Sequence, residues 1–183
     1  MTSLQMPKVQ QSILSSKNKI ISDLSVILKN DNILSHEDEI RPYETDGLTA
    51  IREMPWVVVL PETEAQVVDV MAICREHGVP VIPRGAGTGL SGGARPHKDG
   101  VVLGLSKMNK ILSIDPENRV AQVQPGVRNL AISNAAKPHG LYYAPDPSSQ
   151  IACSIGGNVA ENAGGVHCLK YGLTVHNVLG VRV

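Results

Sequence analysis

The sequence predicts an α+β fold, and three observations carry that reading. Short valine-rich apolar runs recur along the chain, bounded by proline, glycine and asparagine, as brief buried strands are. Between them lie stretches whose apolar residues recur with helical spacing. The two kinds of segment alternate irregularly, without the strict strand–helix beat of a doubly wound sheet. With 183 residues, 42% of them hydrophobic, the chain can bury one sizeable core.

Taken in order, residues 10–29 place Ile13, Leu14, Ile20, Ile21, Leu24, Ile27 and Leu28 at helical spacing, interrupted at Lys17. A polar, acidic passage follows and ends in Arg41-Pro-Tyr-Glu-Thr-Asp-Gly47. Val57-Val-Val-Leu60 reads as a buried strand closed by Pro61. Thr63-Glu-Ala-Gln66 has capping-box spacing and opens a helix that turns Val67, Val70, Met71 and Cys74 inward and stops at Gly78. Residues 79–82 form the next strand. Further strands are expected over 101–105, 110–114 and 119–124, the last two joined by the turn Asp115-Pro-Glu-Asn118. After Pro125-Gly126, residues 127–136 read as a helix that ends before Pro138. A two-proline loop over 144–149 follows, helical pattern resumes over 155–162, and 178–183 reads as a closing strand.

The stretch Pro83-Arg-Gly-Ala-Gly-Thr-Gly-Leu-Ser-Gly-Gly-Ala94 holds five of the 17 glycines. Glycine admits positive φ and lets backbone N–H groups approach a ligand with no Cβ in the way. Successive N–H groups in such a turn form a concave site for a phosphate or diphosphate. A second glycine-rich stretch, Ser154-Ile-Gly-Gly-Asn-Val-Ala-Glu-Asn-Ala-Gly-Gly165, lies downstream. Two such loops point to one large, phosphate-bearing cofactor. Gly87-Thr-Gly-Leu-Ser-Gly92 matches the dinucleotide fingerprint, but that motif has meaning only where the loop opens a helix. Here Pro96 and Gly100 disfavour a helix and a strand follows, so the context argues against a nicotinamide-type Rossmann site. A Walker loop fails because no Lys-Ser or Lys-Thr follows the glycines. For a ligand-free surface turn, so many glycines would cost considerable backbone entropy.

Seventeen basic and 17 acidic residues cancel, so charge offers no footing for nucleic acid or an anionic membrane. Three cysteines, Cys74, Cys153 and Cys168, are odd in number and lack C-x-x-C spacing. They give no disulfide framework and no zinc or iron–sulfur site, and they suggest a reducing compartment. No apolar run is long enough to span a bilayer. Met1-Thr-Ser-Leu-Gln-Met-Pro7 has neither a signal-peptide core nor an arginine-rich transit pattern. These features predict a soluble, cytoplasmic chain without an integral membrane segment.

In their order, the strand at 57–60, the helix from Thr63, the run from Val79 to Ala94, Val123-Gln-Pro-Gly126, Pro145-Asp-Pro-Ser-Ser149 and Ser154-Ile-Gly-Gly-Asn158 form a recognisable series. It resembles the N-terminal part of the FAD-binding domain of the vanillyl-alcohol oxidase superfamily. Within that superfamily, residues 124–178 are most similar to the branch of the glycolate oxidase FAD-binding D subunit and D-lactate dehydrogenases. The resemblance implies an incomplete flavin domain over 51–183, preceded by an N-terminal helix and lead-in over 1–50. It implies FAD-dependent oxidation of a 2-hydroxy acid, glycolate or D-lactate, to the 2-oxo acid.

Carried over by position, the resemblance puts the diphosphate loop on Pro83, Arg84, Gly85, Ala86, Gly87, Thr88 and Gly89, with Ser91 as an extra donor. Arg84 either offsets cofactor charge or pairs with a surface carboxylate; the sequence leaves both open. The second flavin contact falls on Pro145, Asp146, Ser148, Ser149, Ser154, Ile155, Gly156 and Gly157. Asn158, Asn162 and Gly164 fall near the ribityl chain and flavin, and Glu161 reads as a solvated helix residue. Members that attach FAD covalently place a histidine where Thr88 stands, so non-covalent FAD is implied. Other relatives use a cysteine one residue away from Cys153, which reads as a buried, inert thiol. Adjacent His167 and Cys168 make poor metal geometry, and no metal site is expected.

The resemblance further implies a cap domain beyond Val183 carrying the catalytic and substrate-carboxylate groups. It also implies an iron–sulfur partner subunit, or a quinone or cytochrome acceptor, and peripheral association with the inner membrane through such partners. Two other readings stay open: a stand-alone FAD or nucleotide-binding module without catalysis, and a structural protein with incidental glycine loops.

Overall fold

The computed structural model describes residues 8–183, so the N-terminal pattern Met1 to Pro7 lies outside the described residues. The helical spacing near the N-terminus becomes two helices, α1 (Gln11–Ser15) and α2 (Lys17–Ile27), broken at Ser16, one residue before the interruption of the apolar stripe at Lys17. The first sheet contains β1 (Ile33–Leu34), β2 (Val57–Val59), β3 (Val81–Arg84) and β4 (Val101–Gly104), in the order β1-β2-β4-β3. Strands β2 and β3 both run parallel to β4, while β1 is an antiparallel edge.

Alternation along these valine runs builds two cores. Val57, Val59, Val101 and Leu103 pack with Ile20 and Leu24 of α2 and with Val70 and Cys74 of α4 (Glu64–Glu76). Val58, Ile82 and Val102 face the other way, onto Ile40 of α3 (Glu37–Ile40) and the turn Arg41–Tyr43. The capping box of α4 is shifted. Thr63 Oγ1 accepts from the Gln66 N–H at 3.2 Å, but the Gln66 side chain accepts from Glu62 N–H at 2.8 Å instead of from the cap residue. Met71, expected inward, stands 47% exposed. The buried stripe of α4 runs through positions 67, 70 and 74, and residue 71 falls on its solvent edge.

Parallel neighbours need a long crossover, usually a helix. Here β3 and β4 are joined by residues 85–100, which contain the glycine stretch and no helix. The strand–loop–strand context read from the sequence is therefore the one observed.

A second unit follows. The hairpin β5 (Ile111–Asp115) and β6 (Val120–Val123) turns at Asp115, whose Oδ1 accepts from the Asn118 N–H at 3.0 Å. Helices α5 (Asn129–Ala136) and α6 (Ile155–Glu161) share a small core of Val127, Ile132 and Ile155 with the hairpin. A short α7 (Cys168–Tyr171) follows.

Residues 178–183 form no strand, contrary to the reading of their apolar alternation. A strand exists only through a ladder partner, and no described strand pairs with this segment. Leu179, Val181 and Val183 stand exposed, and Arg182 Nε meets Glu64 Oε1 at 2.9 Å.

Candidate functional site

A cleft opens between the first sheet and the α5–α6 unit. It has two adjoining parts of about 830 and about 400 Å³, which share Arg84, Gly85, Ala86 and Ser154. The glycine stretches face each other across the smaller part. Pro83, Arg84, Gly85, Ala86, Gly87, Thr88 and Gly89 form one side. Ser149, Ser154, Gly156, Gly157 and Asn158 form the other. The approach is tight, since a Cβ on Gly85 would stand 2.2 Å from Ser154 Oγ. Gly87 adopts φ +73°, where a side chain is strained, and a Cβ there would meet Arg84 Nη2 at 2.2 Å.

Arg84 is buried, and its guanidinium holds backbone. Nη1 donates to Thr45 O at 2.8 Å and Ala94 O at 3.4 Å, and Nη2 reaches Pro42 O at 3.5 Å. The Tyr43 ring lies 5.3 Å away. These partners replace the surface carboxylate that was one of the two sequence alternatives. Burial lowers the Arg84 pKa from its ordinary value, while Tyr43 and Asp46 act in the opposite sense. The residue rivets the lead-in segment to the underside of the first glycine loop.

Ser154 sits at the N-cap of α6 yet caps nothing. Its hydroxyl is buried without a hydrogen-bond partner in the cleft wall. Buried hydroxyls in folded proteins are nearly always paired, so an unmet one facing a cleft marks a place for a ligand atom.

The second loop is held from beneath by a buried amide pair. Asn129 Nδ2 donates to Pro145 O at 3.0 Å, and Asn158 Nδ2 donates to Asn129 Oδ1 at 2.8 Å. Nothing local in the sequence singles out Asn129, because its role comes from a contact with a loop that only the fold brings near.

Several predicted positions lie outside the cleft lining. Pro145 offers its carbonyl to Asn129, and Asp146 Oδ2 meets His167 Nδ1 at 2.7 Å. Burial raises the Asp146 pKa, but His167 and its own backbone partners outweigh that and hold it low. Ser148 and Gly164 also stand apart from the lining. Asn162 closes α6 in the left-handed region (φ 49°), and its Oδ1 accepts from the Val175 N–H at 3.0 Å. Ser91 sits beside the first loop and donates to Glu161 Oε2 at 2.5 Å. Glu161 is exposed, as expected, but it is engaged and it lines the cleft. Cys153 is buried there too, and Asp46 joins the lining from the lead-in segment, unmarked by any motif.

Among the described residues, no group of three or more His, Cys, Asp or Glu could hold a metal ion. No described helix is long and apolar enough to cross a membrane.

A family model described as FAD binding domain matches residues 55–183. Glycolate oxidase subunit GlcD of Escherichia coli (strain K12) is 65% identical over 151 residues, covering 82% of this chain and 30% of that protein. D-lactate dehydrogenase of Anaerostipes hadrus is 44% identical over 148 residues, covering 80% of this chain and 31% of that protein. The crystal structure of p-cresol methylhydroxylase with substrate bound superposes with a TM-score of 0.73 at 28% identity, covering 85% of this chain and 30% of that one. The chain spans 30–31% of the length of these curated relatives.

Proposed function

The chain belongs to the FAD binding domain family, and from that premise we propose that it forms the FAD cradle of an oxidoreductase acting on a 2-hydroxy acid, glycolate or D-lactate. The single observation that carries the cradle is the convergence of both glycine stretches on one cleft, with the unpartnered Ser154 hydroxyl in its wall. The residues fit FAD. Two glycine-rich stretches line the cleft from opposite sides, and an unmet hydroxyl donor in its wall waits for an acceptor.

FAD, when bound, would supply a ring that accepts the substrate Cα hydrogen with its electron pair, as a hydride, while the hydroxyl gives up its proton and the 2-oxo acid forms. The chain's own residues bind and orient. Backbone N–H groups of residues 85–89 hold the diphosphate, as nests of this kind do. Ser154 donates to a cofactor acceptor. Asn129 and Asn158 tie Pro145 to α6, so that Ser149, the one residue of the 145–149 loop in the cleft wall, is held by a rigid frame. Thr88 offers no imidazole, and attachment is non-covalent. Ser91, Asp146, Ser148, Asn162 and Gly164 belong to the frame around these contacts.

In this reading residues 1–50 are the lead-in, and 51–183 are the part of the flavin domain present here. The base and substrate-carboxylate groups belong to the remaining length that relatives carry. One relative's name calls it a subunit, which supports assembly with partner subunits; the partner proposed is an iron–sulfur subunit that removes electrons. A cytoplasmic place, at the inner-membrane surface through partners, fits that assembly.

The test is anaerobic addition of glycolate, D-lactate or D-2-hydroxyglutarate to the FAD-loaded, purified full-length protein. Bleaching of the flavin band at about 450 nm by glycolate or D-lactate is expected. A flavoprotein bleached by D-2-hydroxyglutarate alone contradicts the named substrates, and one left unbleached by all three contradicts the substrate class.

A further inference from the structure

The lead-in segment before β2 supplies a wall of the cleft, and we propose that Asp46 is a cofactor-binding residue whose carboxylate accepts a hydrogen bond from a neutral donor of FAD. This inference rests on the FAD reading above. Residues 45–49 make a tight turn in which Asp46 Oδ1 accepts from the Leu48 N–H at 3.0 Å. The turn is pressed onto the first glycine loop. A Cβ on Gly47 would lie 2.7 Å from Thr88 O and 2.9 Å from Gly89 O. Arg84 clamps the same turn through the Thr45 carbonyl.

Asp46 is only 6% exposed, its Oδ2 has no hydrogen-bond partner, and it lines the smaller part of the cleft. The Arg84 charge attracts this carboxylate, but Oδ2 itself lacks a hydrogen-bond donor, and a buried oxygen left so carries a desolvation cost that a donor would offset. No protein group supplies that hydrogen bond, and a ligand in the cleft can.

Charge selects the kind of donor. The charged residues lining this part are Asp46, Glu161 and Arg84, and the Arg84 guanidinium is occupied by carbonyls. A phosphate oxygen against Asp46 would be repelled. A hydroxyl or ring N–H would not. FAD offers such donors in both halves: the flavin ring N–H and ribityl hydroxyls in one, the ribose hydroxyls and adenine amine in the other. Asp46 lies outside the matched family region of residues 55–183 and outside both glycine stretches.

The test is FAD titration of the purified full-length protein and its Asp46→Asn variant, with thermal melting measured without cofactor. Asparagine keeps an oxygen for the Leu48 N–H and replaces the free oxygen with an amide donor. The expected result is a wild-type melting temperature with FAD affinity weakened about tenfold or more. Inorganic pyrophosphate, which has no such donor, is expected to bind the variant no more weakly than the wild type. Competition by FMN and by ADP then places the donor: a loss confined to FMN assigns the flavin half, a loss confined to ADP the adenosine half. Asp46→Ser, which also keeps an acceptor for Leu48, is expected to lose FAD affinity as well and serves if the asparagine variant melts early. FAD binding by these variants as tight as wild type, or tighter, overturns the inference and leaves the FAD reading standing. A wild-type protein that binds no FAD overturns that reading, and the inference falls with it.

Discussion

Ser91 Oγ donates to Glu161 Oε2 across 2.5 Å, joining the two glycine-rich stretches at the edge of the cleft. The carboxylate lies near Gly89 and Gly93, with Oε1 3.8 and 3.6 Å from where their Cβ atoms would be. It thus occupies the margin of a site built for an anion. Glu161→Gln removes that charge and is expected to tighten FAD binding about threefold at low salt, with the difference shrinking as ionic strength rises. Flavin-fluorescence titration at two salt concentrations reads this out. Weaker binding by the variant would make the carboxylate a ligand for the cofactor instead.

Asn129 carries both bonds that support the second loop. Asn129→Ala leaves Pro145 O and Asn158 Nδ2 without their partner in a buried setting. The cost is expected to be about 2–4 kcal/mol, lowering the melting temperature by roughly 5–15 °C. Thermal denaturation checks it, and a change of under about 1 °C would show that the amide pair is dispensable.

Cys74 gives a pH prediction. Burial beneath the sheet pushes its thiol up from 9.0 to about 11. The unfolded chain therefore loses this proton first, and below about 9 the thiol is neutral in both states. Its contribution to stability is fully present there and is lost as pH rises from about 9 to about 11. Denaturant melts across that window are expected to show a fall that is smaller in Cys74→Ala. An equal fall in both proteins would contradict the assignment.

Most of the cradle was legible because it is local. Glycines in series, prolines at fixed offsets and a strand on either side of residues 85–100 declare a loop that presents backbone, whatever surrounds it. The residues that complete the site are legible only through the fold. Asp46 and Asn129 look ordinary in sequence and gain their meaning from contacts with the glycine loop and Pro145. Arg84 was visible as a cation, but its partners are carbonyls that tertiary packing delivers. The strand expected at 178–183 fails for the same reason. Apolar alternation specifies a face, whereas a ladder needs a neighbour.

The most direct measurement of the central claim is flavin retention through gel filtration by the full-length wild type and its Gly87→Val variant after incubation with FAD. Valine at this position would place a branched side chain at φ +73° against Arg84 Nη2, 2.2 Å from the new Cβ. The account predicts wild-type protein that co-elutes with bands near about 375 and 450 nm, and a folded variant that elutes colourless. A wild-type protein that stays colourless, or a variant that keeps its flavin as tightly as wild type, would contradict the cradle.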